Sequence, residues 1–381
     1  MSELSVQPAL CVVGARPNYM KMAPLLRAMA FEAHALPTVL CHTGQHYDPA
    51  LNKDLFVDLK MPEPDINLEV GSGSQAVQTA EIMKRFEPVV ERVKPSCVIV
   101  VGDVNSTLAC SLVAVKMGVA VVHVEAGLRS YDRSMPEEIN RVLTDQIADV
   151  LYTSERGAQA NLAREGIAEE RIHFVGNIMI DSLFEAMKFA IAPEATLRRE
   201  GWGALAINGP TGYALVTLHR PSNVDDIESL GQVLSILDAV SQRLPVIWPL
   251  HPRTTANLQR YGLKQQWVNS RIARLDPVGY LEMAGLIRQA KVVITDSGGV
   301  QEETTALGVP CLTVRPNTER PITVEQGTNT LVSRTPGAVL GCVEDILTNG
   351  GKRGRIPELW DGHTAPRIAR HLTTWLAQRN C

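Results

Sequence analysis

The residues able to do chemistry in this chain stand where short apolar runs end. Asp103 in VVGDVNST and Glu125 in VHVEAG each close a Val-rich run. A charge left uncompensated in such a place is costly, so each acid needs a tight partner or a task, and carboxylates so placed can take a proton or stabilise positive charge. Glu137 and Glu138 in SMPEEINR extend the set. Glu137 also has two structural explanations, because Ser134 to Glu137 has capping-box spacing and Glu137 to Arg141 is an i,i+4 ion pair. The period of Ile139, Val142, Leu143 and Ile147 predicts the buried face of that helix, turning Glu138, Arg141 and Asp145 to the other side.

Cations follow other apolar runs: Arg16 and Lys21 in the first loop, His219 with Arg220, His251 with Arg253, then Arg315 and Arg320 in VRPNTERP. Several of them beside a helix N-terminus would neutralise a diphosphate and stabilise charge developing on it. VVITDSGGVQEETTALGVP, residues 292–310, supplies such an N-terminus. Ser297, Gly298 and Gly299 open a helix whose Val300, Thr304 and Leu307 share a face and which Gly308 and Pro310 end. Exposed amides at its start suit phosphate oxygens. Glu302 and Glu303 admit two readings: first-turn acids that favour the helix dipole, or a carboxylate that accepts sugar hydroxyls beside the phosphates.

These loops need strands to hold them. LCVVG (10–14), TVLCHTG (38–44), CVIVVGD (97–103), VAVVHVEAG (119–127), VLYTS (150–154) and IHFVGN (172–177) alternate with segments of helical period. A second series runs through YALVTLH (213–219), PVIWPLH (245–251), RIARLD (271–276), VVITD (292–296) and CLTV (311–314). Continuous apolar strands separated by helices predict an α/β fold with parallel sheets covered on both faces. The stretch from about 178 to 212 carries no strand signal and separates the series. Two doubly wound, Rossmann-like domains facing a central cleft are therefore expected, with the polar loops at the carboxyl ends of the strands. Their bounds are 1–180 and 181–361, and an amphipathic C-terminal helix in 362–381 packs back on the first.

With 381 residues, 45% hydrophobic and 20% charged, the chain has room for two such cores. A net charge of −4 and scattered Lys and Arg argue against nucleic acid as a partner. No uncharged apolar segment approaches the ~18 residues that span a bilayer, and no basic region precedes the first apolar stretch, so no membrane role and a cytoplasmic location are expected. Seven cysteines, an odd number with no CxxC pair, read as reduced core thiols. His42 and His46 in CHTGQH are the nearest approach to a metal pair, without a third ligand, so no metal is expected. No GxGxxG follows any strand, which disfavours a nicotinamide dinucleotide bound in the usual way.

The ordered set GARPNYMKMAP, HTGQHYD, GDVNSTLA, HVEAGLRS, MPEEINRVLTD, GNIMIDSL, TLHRPSN, PLHPRT, TDSGGVQEE and TERPITVEQGTN resembles the bacterial non-hydrolysing UDP-N-acetylglucosamine 2-epimerases. The resemblance runs from residue 10 to about 332. It implies the two-domain glycosyltransferase-B architecture, a homodimer, and interconversion of UDP-GlcNAc and UDP-ManNAc for surface polysaccharides without a cofactor. By matching motif, Arg16, Ser297, Gly298 and Gly299 are implied diphosphate contacts and Glu303 a ribose-binding acid. His219, His251 and Arg320 are implied to line the nucleotide side. Lys21, Asp103, Glu125, Glu137 and Arg141 match the family's catalytic cluster, to which His219 is added. The implied mechanism is anti elimination of UDP to a 2-acetamidoglucal, followed by re-addition.

Two departures qualify what is implied. LHRPSN carries Pro221-Ser222 where many members have Arg-Glu, and relatives act on UDP-2,3-diacetamido-uronic acids, so the sugar stays open. TGQH continues YDPALNK, without the Arg and Glu of members that bind a second UDP-GlcNAc there, which argues against allosteric activation. A hydrolysing relative that releases ManNAc and UDP, and a glycosyltransferase of the same architecture, are the alternative activities.

Overall fold

Runs of Val, Ile and Leu without polar alternation form strands buried on both sides, and two parallel sheets result. The computed structural model describes residues 7–32, 36–45, 55–205, 207, 212–263 and 269–379. The chain divides into two compact units, Met1–Phe184 with Glu358–Cys381, and Glu185–Pro357.

In the first unit the strands are β1 (Ala9–Val13), β2 (Thr38–His42), β3 (Ile66–Asn67), β4 (Cys97–Val101), β5 (Ala120–Ala126), β6 (Val150–Thr153) and β7 (Ile172–Phe174). They lie in the order β3-β2-β1-β4-β5-β6-β7, all parallel. In the second they are β8 (Ala214–Thr217), β9 (Val246–Pro249), β10 (Ile272–Leu275), β11 (Val292–Thr295), β12 (Cys311–Val314) and β13 (Asn329–Val332). Their order is β10-β9-β8-β11-β12-β13, again all parallel. Both are doubly wound, Rossmann-like sheets. Chain order reverses between β1 and β4 in one and between β8 and β11 in the other, which is where such sheets open a ligand crevice.

Alternate residues of the second sheet serve different cores. Val216, Trp248 and Ile294 join the cluster under helices Ile227–Ser241 and Pro336–Asn349, whereas Leu215, Ile247 and Val293 join the one under Tyr280–Gln289. The strands β8 and β11 are thereby fixed by packing on both faces, and the loops that follow them inherit that rigidity.

Helix Thr364–Arg379 completes the first unit, burying Ile368, Leu372 and Leu376, each worth about 1.5 to 3 kcal/mol when fully covered. Asp181 accepts its first free amides, Thr364 N at 3.1 Å and Ala365 N at 2.7 Å. Burial pushes the Asp181 carboxyl up, against those two bonds.

Helix Pro136–Ile147 departs from expectation. Its buried residues are Glu138, Asn140, Arg141, Thr144 and Asp145, while Ile139 and Leu143 are 43% and 46% exposed. The apolar stripe faces out because the polar side has partners that the period alone does not reveal. The expected cap is also absent: Met135 precedes the helix without a side-chain bond, and Ser134 Oγ turns to Asp132.

Candidate active site

The first unit gathers its chemistry at the β1/β4 reversal. Asn18 accepts the amides of Gly14 and Ala15 at 3.0 and 3.1 Å and donates to Val101 O at 2.9 Å, tying the turn after β1 to the end of β4. The helix Arg16–Glu32 starts there, so Arg16 and Lys21, expected in a loop, are helical. Arg16 is exposed at the helix start. Lys21 is buried and ion-paired to Glu125.

Glu125 sits in the left-handed region at φ 70°, where the pairing of β5 with β6 slips between Val124 and Ala126. Such a conformation for a non-glycine residue costs of order 1–3 kcal/mol and survives only where its surroundings impose it. Gly102, at φ 67°, makes room for the pair: a Cβ there would lie 2.7 Å from Lys21 Nζ and 3.3 Å from Glu125 Oε2. Asp103 follows directly and pairs with Arg141 Nη2.

Arg141 also bonds Glu138 at 2.8 Å, so it pairs with Glu138 and Asp103 in place of the expected Glu137. Glu138 further accepts Ser130 N, Ser130 Oγ and Tyr131 N, each at 2.9 Å, and is committed to holding that loop. Glu137 stands exposed in the first turn. The pairs Lys21–Glu125 and Arg141–Asp103 are thus brought together at the Gly102–Asp103 turn, and Glu137 is not among their partners.

The second unit builds on the β8/β11 reversal. Asp296, fully buried after β11, accepts His219 N at 3.0 Å, Arg220 N at 2.9 Å and Asn223 Nδ2 at 2.9 Å, and pairs with His219 Nδ1 at 3.1 Å. Burial works against its charge, but these contacts outweigh it and hold the carboxyl below its usual range. With Nδ1 committed, His219 presents Nε2. His251 stacks on it with centroids 4.9 Å apart, and accepts Arg253 N at Nδ1, so its Nε2 carries the hydrogen.

Ser297 precedes helix Gly298–Leu307 without a side-chain cap, which leaves the first amides to a ligand. Glu302 and Glu303 lie beyond the first turn and are buried, so the helix-dipole reading fails. Glu302 pairs with Arg320 Nε at 2.9 Å, and Glu303 accepts Tyr280 OH at 3.3 Å. Glu319 stands over Gly298, 2.7 Å from where a Cβ would be, and binds Arg315 at 2.8 Å and Arg220 at 3.3 Å. Although burial opposes it, the neighbouring Arg320, Arg315 and Arg220 bring its carboxyl down to about 2. Arg253 is turned to Asp225. His219 and His251, the turn 297–299 and the Arg320 pair are therefore all placed on this unit's strand ends.

Asp296, Glu319 and His123 were not singled out from the sequence as site residues, and Asp145 was placed only on the polar side of its helix. Asp296 carried a usable signal, since it ends VVIT as Asp103 and Glu125 end their runs. Among the described residues no group of three His, Cys, Asp or Glu could hold a metal. His42 bonds Tyr19 OH at 2.6 Å and Gly44 N at 3.0 Å, and His46 lies outside the described residues.

The family model described as UDP-N-acetylglucosamine 2-epimerase matches residues 29–373. The chain belongs to that family. A UDP-N-acetylglucosamine 2-epimerase of Methanocaldococcus jannaschii is 40% identical over 370 residues, 95% of this chain and 98% of the relative. A UDP-2,3-diacetamido-2,3-dideoxy-D-glucuronate 2-epimerase of Pseudomonas aeruginosa is 37% identical over 370 residues, with the same coverage of 95% and 98%. The crystal structure of the M. jannaschii enzyme, in complex with UDP-GlcNAc and UDP, aligns with TM-score 0.84 at 40% identity over 96% of this chain and 99% of that one. As a member of the epimerase family the chain is an isomerase with two Rossmann-like domains of glycosyltransferase-B type.

Proposed function

We propose that the chain interconverts UDP-GlcNAc and UDP-ManNAc by inverting C2, with no cofactor. The observation that carries this reading is Glu125, a buried carboxylate held in a left-handed bulge against Lys21 and beside Asp103 at the β1/β4 reversal. C2 of an N-acetylhexosamine has no adjacent carbonyl to acidify its proton. Loss of that proton must accompany cleavage of the C1–O bond, leaving a C1=C2 double bond and free UDP. A carboxylate of the first unit takes the proton while its neighbour stabilises charge growing at the ring. Arg16, the amides of 297–299, His219, His251 and Arg320 take the diphosphate, and Glu303 takes ribose hydroxyls. Re-addition of UDP with protonation of the other face gives the epimer.

Proton NMR with UDP-GlcNAc in heavy water tests this. Deuterium at C2 and appearance of UDP-ManNAc are expected, with both lost in Glu125→Gln; exchange without epimer refutes the reading. Accumulating UDP would mark the hydrolysing activity, and a disaccharide or glycolipid formed with an acceptor would mark a transferase. The P. aeruginosa relative and Pro221-Ser222 favour a second substrate, the UDP-2,3-diacetamido-uronic acid, for the same assay.

The same proposal includes a homodimer and a cytoplasmic site of action. Buried, unpaired thiols at Cys11, Cys41, Cys97, Cys110 and Cys311 support the second point. Sedimentation tests the first: the chain is expected to run as a dimer, with a monomer ruling the assembly out.

A further inference from the structure

Asp145 and His123 lie in the interior of the first unit with no exposure at all, and neither reaches the reacting groups. Asp145 Oδ1 bonds His123 Nδ1 at 2.7 Å; Oδ2 accepts Gly127 N at 3.1 Å and pairs with Arg129 Nη2 at 2.7 Å. One carboxylate thus grips residues two before and two after Glu125. The opposite ring nitrogen, His123 Nε2, bonds Gly102 O at 2.8 Å. That carbonyl only accepts, so Nε2 carries a hydrogen and donates it there. Arg129 is itself anchored by both oxygens of Glu165, at 2.8 and 2.6 Å.

The strained position of Glu125 needs something to impose it, and this network grips the backbone on both sides of that residue. It holds β5 before the slip, the turn after it, and the Gly102 peptide on which Lys21, Glu125 and Asp103 converge. We propose that Asp145 and His123 are positioning residues that lock Glu125 into its left-handed bulge and fix the Gly102–Asp103 turn against it. The buried Asp145–Arg129 charge pair, with both carboxylate oxygens bonded, is costly to assemble in a core that aliphatic side chains could fill, and it specifies one geometry instead of several.

The inference rests on the epimerase reading, so its test includes a readout independent of turnover. In Asp145→Ala, a crystal structure is expected to show Glu125 out of the left-handed region, and the Gly127 amide is expected to exchange at least a hundredfold faster. kcat for epimerisation should fall about a hundredfold, whereas KM and the UDP dissociation constant stay within threefold, since the proposed nucleotide contacts other than Arg16 belong to the other unit and Arg16 is not among the partners of Asp145 or His123. Asp145→Asn should restore most of kcat: its amide oxygen serves Gly127 and Arg129, and its NH2 donates to His123, which keeps its bond to Gly102. If Asp145→Ala fails to fold, His123→Asn, which keeps a donor to Asp145 and loses the reach to Gly102, should lower kcat about tenfold at unchanged KM. An unmoved Glu125 in Asp145→Ala, or unchanged kcat in His123→Asn, overturns the proposal. Absence of epimerisation by the unaltered chain, with Glu125 still displaced in Asp145→Ala, would overturn only the functional reading.

Discussion

Gly102→Ala puts the site geometry to its sharpest test. Two effects add at that position. An alanine at φ 67° costs about 1–2 kcal/mol relative to glycine, because its Cβ crowds the following carbonyl. The new Cβ also lies 2.7 Å from Lys21 Nζ, where ordinary contact begins near 3.4 Å, so the ammonium must retreat by about 0.7 Å. Glu125 Oε2, at 3.3 Å, has almost no room to follow. Losing the pair outright would cost about 3–5 kcal/mol, but the end of a lysine can shift for less, so a total near 2 kcal/mol is expected. At about 2–4 °C per kcal/mol for a domain of this size, calorimetry should show the first unit melting several degrees lower. Displacement of catalytic groups by an ångström costs about a hundredfold in rate, and kcat and C2 deuterium exchange should fall together by that factor. If the melting point drops as the strain requires while both rates stay within threefold, the placement of Lys21 against Glu125 is not what turnover depends on.

Gly298→Ala carries no backbone penalty, since that residue has no positive φ, but its Cβ would stand 2.7 Å from Glu319 Oε1 and cover the first amides of the helix. UDP affinity, measured by calorimetric titration, should weaken at least tenfold with the melting point almost unchanged; unaltered affinity would separate that turn from the phosphates. In the C-terminal helix, His371 packs tilted against His173, with ring centroids 3.8 Å apart, and bonds Tyr152 OH at 2.8 Å. Burial, then the neighbouring His371, brings His173 down to about 4 from 6.5, and burial lowers His371 too. Both rings bind protons more readily unfolded than folded, so their contribution is complete above about 6.5 and is lost as pH falls toward 4. Protection factors across Thr364–Arg379, each taken against the intrinsic amide exchange rate at its own pH, should fall about tenfold between pH 7 and 5, and less so in His371→Asn; equal protection at the two pH values refutes the reasoning.

The sequence made the layering legible because parallel strands in a covered sheet need no alternation, and runs such as CVIVV and VVIT have few other uses. β3 and β13 escaped notice for a physical reason. Ile66–Asn67 is only two residues long, and NTLV carries an asparagine that is buried through bonds to Gln301 and Thr323, partners invisible in a linear reading. The site split the same way. Which strand ends carry chemistry in each unit was readable, so Asp103, Glu125, His219 and Ser297 lie at or just past them, whereas Lys21 is reached from a helix. Which charges neutralise one another was not, because pairings such as Glu125 with Lys21 or Arg129 with Glu165 join residues far apart in the chain. Helix Pro136–Ile147 shows the consequence: hydrophobic period assigns a buried face correctly only when polar groups lack buried partners, and here Glu138, Arg141 and Asp145 all have them.

The charge distribution fits a reaction in which opposite charges grow on the two halves of one substrate. Three arginines of the second unit are each matched by an acid, Arg320 by Glu302, and Arg315 and Arg220 by Glu319. Such pairs keep guanidinium donors in fixed geometry while lowering the net field. On the proposed reading that is useful, because elimination leaves UDP with an additional negative charge that must be held long enough to add back and yet be released with the product. A strongly positive pocket would stabilise the cleaved state and stall the cycle there. The uncapped amides of Gly298–Leu307 supply attraction that needs no counter-charge. In the first unit the acids are held by ion pairs, Lys21 with Glu125 and Arg141 with Asp103, so on the same reading each is kept in place until a ring bearing positive charge offers a better partner.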